Sequence, residues 1–172
     1  AAAPVEPARF LLHVGQAVSS IVADVACAGN ADGSITVNGP GAGEWSWSLI
    51  TPDQGTLTQG PLEGEAVFSG LSAGDYQLSV SGGTGCGTLT QDLHIGEPGP
   101  LGGYSGATVA ASCADASNGG ADLTVMGGTA PYTFAWSDGS SNEDLQDAEV
   151  GTYTVTITDG NGCQTQVIGI VV

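Results

Sequence analysis

Short stretches of alternating apolar and polar residues recur along the chain. Tyr76–Val80 and Tyr153–Ile157 both place apolar side chains at every second position, which is the period of a β-strand with one buried face. Asp-Gly and Asn-Gly pairs, which favour tight turns, stand at 138–139, 159–160 and 161–162. No stretch shows a convincing helical period over ten or more residues. The pattern predicts an all-β protein.

The strand pattern occurs twice, as two copies of one module. A glycine, a tyrosine, an aliphatic residue and a cysteine recur 77 positions apart, as the pairs Gly74/Gly151, Tyr76/Tyr153, Val80/Ile157 and Cys86/Cys163. Six or seven short strands in roughly 70 residues suit a small antiparallel sandwich. We therefore predict two tandem Ig-like β-sandwiches, with an N-terminal arm at 1–19, domain 1 at 20–96, a linker at 97–103 and domain 2 at 104–172.

Aromatic residues at matching positions indicate where each core lies. Trp45-Ser-Trp47 in the first copy matches Phe134-Ala-Trp136 in the second. Two Trp residues on one strand could also stack on a sugar, but shared positions in both copies favour core packing. The predicted core aromatics are Trp47, Tyr76, Trp136 and Tyr153.

The composition excludes several classes of partner. The 172 residues include 18 acidic residues and a single Lys or Arg, Arg9, which gives a formal net charge of −17. Such a chain cannot neutralise nucleic-acid phosphates, and its field repels an anionic membrane surface. No apolar run approaches the ~18 residues of a membrane-spanning helix. Because the chain begins with Ala1 rather than Met, we expect a mature, secreted form whose targeting segment has been removed.

The four cysteines predict disulfide bonds. They stand at Cys27, Cys86, Cys113 and Cys163 and form no C-x-x-C pair, which argues against a zinc ribbon or a thioredoxin-type site. Of the three possible connectivities, only Cys27–Cys86 with Cys113–Cys163 treats both copies alike. Paired cysteines imply an oxidising compartment, so we expect a secreted or surface-exposed protein.

One long motif resembles a known family. Gly127-Gly-Thr-Ala-Pro-Tyr-Thr-Phe-Ala-Trp-Ser-Asp-Gly139, followed by Gly151-Thr-Tyr-Thr-Val-Thr-Ile-Thr-Asp-Gly-Asn-Gly-Cys163, resembles the SprB repeat. That repeat is named for a large gliding-motility adhesin of Bacteroidota. The resemblance is strong over 113–170 and weaker over 27–95, where the Pro-Tyr pair and the Asp-Gly-Asn-Gly turn are missing. It implies an extracellular, Ig-like bacterial surface module without catalytic residues.

The N-terminal arm has no counterpart in the second copy. It contains the most apolar short run of the chain, Phe10, Leu11, Leu12, His13 and Val14, and an exposed run of this kind is a liability unless it is buried. The arm could insert as a donated strand into a neighbouring subunit, with Phe10, Leu12 and Val14 facing the acceptor's core. Such head-to-tail contacts build a homopolymeric, pilus-like filament. Alternatively, the arm is a strand of its own first domain, and the protein is a monomeric adhesin that binds a glycan or protein.

Residues with possible chemistry are few. Asp115, Asp122, Asp159 and Asn161 offer oxygen ligands from two loops, which suits Ca²⁺, although Asp and Asn are also ordinary turn residues. Gly70-Leu-Ser-Ala-Gly74 matches the G-x-S-x-G motif of hydrolases, but it precedes a predicted strand rather than a helix, so we interpret it as a turn. We therefore predict that the protein is not an enzyme.

Overall fold

The computed structural model describes residues 18–39, 43–82, 88–113 and 116–172. Regular secondary structure in these ranges is β-strand, paired antiparallel throughout, which confirms the predicted all-β class. Within the same ranges, no helix is long and apolar enough to cross a membrane. The described chain forms two compact units. Unit 1 contains 18–24 and Ala31–Gly96, and unit 2 contains Val25–Asn30 and Glu97–Val172.

Unit 1 is a sandwich of a three-stranded and a four-stranded sheet. The first sheet has the order β1-β2-β5 and the second the order β4-β3-β6-β7. The strands are β1 (Ser19–Ala23), β2 (Gly33–Asn38), β3 (Glu44–Ile50), β4 (Thr56–Glu63), β5 (Glu65–Leu71), β6 (Gly74–Gly82) and β7 (Leu89–Ile95). Alternation places Ile35 and Val37 of β2 in the core, with no exposed surface. Trp47 of β3 and Tyr76 of β6 are buried with them.

Unit 2 is built from two three-stranded sheets with the orders β11-β9-β8 and β10-β12-β13. The strands are β8 (Gly102–Val109), β9 (Gly119–Met126), β10 (Thr133–Trp136), β11 (Leu145–Ala148), β12 (Thr152–Thr158) and β13 (Gln164–Val171). Trp136, Val155 and Ile157 belong to its buried core, and Tyr153 packs against that core from a partly buried position. The two predicted Ig-like sandwiches are thus present as units 1 and 2.

Two glycines show that the first sheets of the units correspond strand by strand. A Cβ atom on Gly33 would lie 2.9 Å from the carbonyl oxygen of Leu71 and 3.2 Å from that of Ala23. A Cβ atom on Gly119 would lie 2.9 Å from the carbonyl oxygen of Ala148 and 3.1 Å from that of Val109. The same cramped position between two backbones therefore occurs in both copies, and β1, β2 and β5 correspond to β8, β9 and β11.

A tyrosine corner confirms the correspondence in the second sheets. The hydroxyl of Tyr76 donates a hydrogen bond to the carbonyl oxygen of Ser72 at 2.7 Å. The hydroxyl of Tyr153 donates to the carbonyl oxygen of Glu149 at 2.9 Å. A tyrosine that ties the start of a strand to the backbone just before it is a recurrent feature of Ig-like sandwiches.

The domain limits expected from the sequence stay a prediction. The segment Val25–Asn30 lies inside the predicted domain 1 but groups with unit 2.

Candidate functional sites: a disulfide-linked turn and a polar groove

The turn between β12 and β13 in unit 2 is organised by one buried carboxylate. Asp159 is 5% exposed. Its Oδ1 accepts hydrogen bonds from the backbone N–H groups of Asn161 at 2.9 Å and Cys163 at 2.8 Å, and its Oδ2 accepts one from that of Thr129 at 2.9 Å. Burial acts to raise the pKa of Asp159, but these N–H donors outweigh it and lower the pKa below its usual value. The ionised side chain therefore holds the turn together.

The same turn is tied to Val25–Asn30. The side-chain amide of Asn161 donates hydrogen bonds to the carbonyl oxygen of Ala26 at 2.9 Å and to Oγ1 of Thr129 at 3.2 Å. Cys163 forms a disulfide with Cys27, with their Cα atoms 5.7 Å apart. Residues 159–163 thus hold Val25–Asn30 in place through the disulfide to Cys27 and the hydrogen bond to Ala26.

This disulfide corrects the predicted pairing. Neither Cys27–Cys86 nor Cys113–Cys163 is formed, because Cys27 and Cys163 bond to each other. The predicted pairing keeps each opening cysteine with its own copy, whereas Val25–Asn30 groups with unit 2 and is bonded to the closing turn of the second copy. Cys113 carries an exposed free thiol, and Cys86 lies outside the described residues.

Two of the four predicted calcium ligands share one turn of unit 2, and a third lies on strand β9. Asp159 and Asn161 share the turn, but the carboxylate of Asp159 is already engaged by backbone donors. Asp122 lies on β9 and lines a shallow depression with Asp144 and Asp147, while Asp115 lies outside the described residues. Among the residues that are described, no group of three or more His, Cys, Asp or Glu side chains could hold a metal ion. Calcium binding stays a prediction.

Replacing Asp159 by Asn is expected to destabilise unit 2 at neutral pH. It is also expected to reduce the amount of stability that unit 2 loses as the pH falls. A carboxyl group whose pKa is lowered by folding contributes stability above its unfolded pKa of about 3.9, and this contribution is lost as the pH falls through the folded pKa. Thermal unfolding between pH 2 and 7 measures both effects. Asp138→Asn is the control, because Asp138 is exposed and, within the described residues, accepts side-chain hydrogen bonds only from Ser140 of its own turn. An unchanged acid response in Asp159→Asn would contradict the assignment.

A polar groove of about 840 Å³ lies on unit 1, between the β3–β4 turn and strands β6 and β7. Asp75 and His94 face each other in the β6–β7 register, and the Nδ1 atom of His94 lies 2.7 Å from Oδ1 of Asp75. Two pairs further along the same register, the side-chain amide of Gln77 donates to Oδ1 of Asp92 at 3.0 Å. All four side chains are exposed. The groove therefore presents two carboxylates, an imidazole and an amide to solvent.

The floor of the groove contains a buried tyrosine. Tyr76 lies 4% exposed beneath these side chains. Burial and the nearby carboxylate of Asp53 raise the pKa of Tyr76, so its hydroxyl stays protonated and donates to Ser72. The sequence does not indicate that Asp75 meets His94, because the two residues stand 19 positions apart. Only the pairing register of β6 with β7 brings Asp75 to His94.

The remaining candidate residues lie in a turn, in the core or outside the described residues. Ser72 of the G-x-S-x-G motif lies in the turn between β5 and β6, a strand–turn–strand context unlike that of a nucleophile elbow. Trp47 is 1% exposed, so it offers no surface for sugar stacking. Phe10, Leu11, Leu12 and Val14 of the arm lie outside the described residues.

The chain is similar to one sequence family and to several solved structures. No curated protein matches it. Among solved structures, the chain is similar to a C-terminal 282-residue fragment of intimin, crystallised with the intimin-binding domain of the translocated intimin receptor, at 11% identity and a TM-score of 0.41. That match covers 87% of this chain, which spans 64% of the intimin fragment. The chain is also similar to domains 3 and 4 of rat CD4, at 12% identity and a TM-score of 0.25, covering 90% of this chain and 94% of the other. A family model of the SprB repeat matches residues 19–41 and 105–141, which confirms the resemblance to that family.

Proposed function

We propose that this chain is a ligand-binding module of a bacterial cell-surface adhesin. The observation that carries the proposal is the SprB repeat sequence in both copies of the module. The Cys27–Cys163 disulfide supports an oxidising, extracytoplasmic location. A formal charge of −17 suits a soluble surface that resists nonspecific association with other acidic surfaces.

The polar groove of unit 1 is our candidate for the ligand site. Carboxylate, amide and imidazole groups on two adjacent strands can form hydrogen bonds with several hydroxyl or amine groups of one ligand. The acidic chain disfavours sialylated or sulfated ligands, because like charges repel at the groove. We therefore expect a neutral glycan or a basic peptide.

Substitutions in the groove are expected to weaken binding without unfolding the protein. Asp75→Ala and Asp92→Ala each remove a carboxylate acceptor, and the loss of a charged hydrogen bond corresponds to about a tenfold or greater weakening. The measurement is binding of the full chain to immobilised neutral oligosaccharides and basic peptides. Glu65→Ala is the matched control, because Glu65 is an exposed acidic residue of unit 1 that does not line the groove. Equal affinities for all three variants would reject the groove as the site.

The competing candidate is a filament subunit that assembles by strand donation from the arm. An apolar groove beside Val18 favours it, because a donated strand needs a pocket for alternate side chains. Regular filaments in negative-stain electron microscopy, at a salt concentration that screens the charge, would support this candidate if deletion of residues 1–17 abolished them. Fibres that survive the deletion would exclude strand donation, and separate small particles would favour the adhesin.

A further inference from the structure

The Cys27–Cys163 disulfide gives the chain a short covalent route between its two ends. The two cysteines stand 136 positions apart, so the bond closes a loop that contains residues 28–162. Nearly all buried apolar residues of the described chain belong to this closed loop, and the exceptions are Val25, Ile170 and Val172. Tension between the ends of the chain therefore passes through the disulfide and leaves most of each core unloaded.

Outside the closed loop, the described chain is already extended. It consists mainly of two strands, β1 before Cys27 and β13 after Cys163. A β-strand rises about 3.3 Å per residue, which is close to the greatest length that a residue can span. The hydrogen bonds of an antiparallel pair are perpendicular to the strands, so a strand that is pulled lengthwise at both ends can carry tension without leaving its partner. The route from β1 through the disulfide to β13 thus has little length to gain.

Two hydrogen bonds hold the neighbours of Cys27 in unit 2. The carbonyl oxygen of Ala26 accepts one from the side-chain amide of Asn161 at 2.9 Å. The backbone N–H group of Gly29 donates the other to Oε2 of Glu97 at 2.8 Å. The chain on both sides of Cys27 is therefore attached to unit 2 independently of the disulfide, so tension across the bond does not first draw in slack from these neighbours.

We propose that this disulfide makes the chain a load-bearing module, in which tension passes from β1 to β13 while the residues of the closed loop stay folded. The proposal goes beyond adhesion, because a filament subunit would carry tension equally, and it does not depend on which ligand is bound. The polar groove of unit 1 is formed by residues between 50 and 94. The groove therefore belongs to the closed loop and keeps its shape while the ends of the chain are pulled.

Stretching single molecules of the full chain by its two ends tests this proposal. Only 26 residues precede Cys27 and nine follow Cys163, so the oxidised protein is expected to extend by at most about 130 Å. A dithiol reductant, which is itself oxidised to a cyclic disulfide, then converts the two cysteines to thiols. The same molecule is expected to lengthen by about 450–490 Å more, which is the extended length of 136 positions.

The way in which this length appears reports whether the closed loop stays folded under tension. Once the disulfide is reduced, tension reaches the folded units, and each unit has to unfold before its length is released. We therefore expect separate steps whose rate rises with force and does not depend on the reductant concentration. Cys113→Ser is the matched control and is expected to behave like the wild type, because Cys113 carries a free thiol. Cys27→Ser is expected to release the full length without reductant, and if it does not fold, reduction of the wild type provides the same comparison.

Two results would overturn the proposal. Release of the whole length in one step at the moment of reduction would show that the closed loop had already unfolded under tension. An oxidised extension of up to about 220 Å, followed by a release of only about 360–390 Å, would show the pairs Cys27–Cys86 and Cys113–Cys163, which stand 59 and 50 positions apart. With those pairs, residues 87–112 would carry the tension between two separate loops.

Discussion

Replacing Cys27 by Ser is expected to lower the free energy of unfolding by about 5 kcal/mol, as the chain-entropy model gives for a closed loop of this size. The disulfide joins residues 136 positions apart, so the bond removes a large amount of freedom from the unfolded chain. Chemical denaturation of the oxidised protein and the variant measures the difference. Because stabilities of whole domains are typically only about 5–15 kcal/mol, a loss of this size brings Cys27→Ser close to unfolding.

The control is Cys113→Ser, since Cys113 is exposed and carries a free thiol. This variant is expected to unfold at the wild-type denaturant concentration. Peptide mapping without reduction is expected to recover residues 27 and 163 in one linked species, and alkylation of the native protein is expected to label Cys113. A linked species that joins residue 113 to 163 would contradict the structure and restore the pairing expected from the repeat.

The strands and the repeat could be predicted from the sequence because they depend on local patterns. Alternation along Tyr76–Val80 and Tyr153–Ile157 reports which side chains face a core. The repeated tyrosine marks a corner that both copies form with the same hydrogen bond, to the residue four positions earlier. Features determined by neighbours in sequence were therefore accessible without a structure.

Features that depend on remote neighbours were not accessible. Nothing in the composition of Val25–Asn30 distinguishes a loop of unit 1 from a segment of unit 2, so the cysteine at position 27 was assigned to the wrong partner. Asp159 was predicted as a calcium ligand because turn residues and metal ligands share the same side chains. The donors at Asn161 and Cys163 belong to the turn itself, but the donor at Thr129 becomes visible only when its loop is folded against the turn.

Replacing Trp136 by Ala is expected to lower the free energy of unfolding of unit 2 by about 3–5 kcal/mol, the range for a large aromatic residue removed from a core. Trp136 is 4% exposed, and its Nε1 donates a hydrogen bond to the carbonyl oxygen of Asn142 at 2.9 Å. Trp47, its repeat mate in unit 1, is equally buried, but its Nε1 has no hydrogen-bond partner among the described residues. Trp136 and Trp47 are thus buried to a similar extent, but within the described residues only the indole N–H of Trp136 forms a hydrogen bond.

Conservative substitutions separate the two contributions. Trp136→Phe is expected to cost about 0.5–1.5 kcal/mol beyond the change in packing, because the hydrogen bond to the carbonyl group of the exposed Asn142 is lost. Trp47→Phe is expected to cost less, since it removes a buried N–H group that has no hydrogen-bond partner in the part of the chain that the structure describes. Replacing a tryptophan removes the fluorescence that would report unfolding. The free energy of unfolding of each unit is therefore measured by hydrogen exchange of the intact protein, read out on peptides from that unit. Equal costs for the two Phe variants would show that the hydrogen bond to Asn142 adds no stability, and that packing alone accounts for the tryptophan at this position.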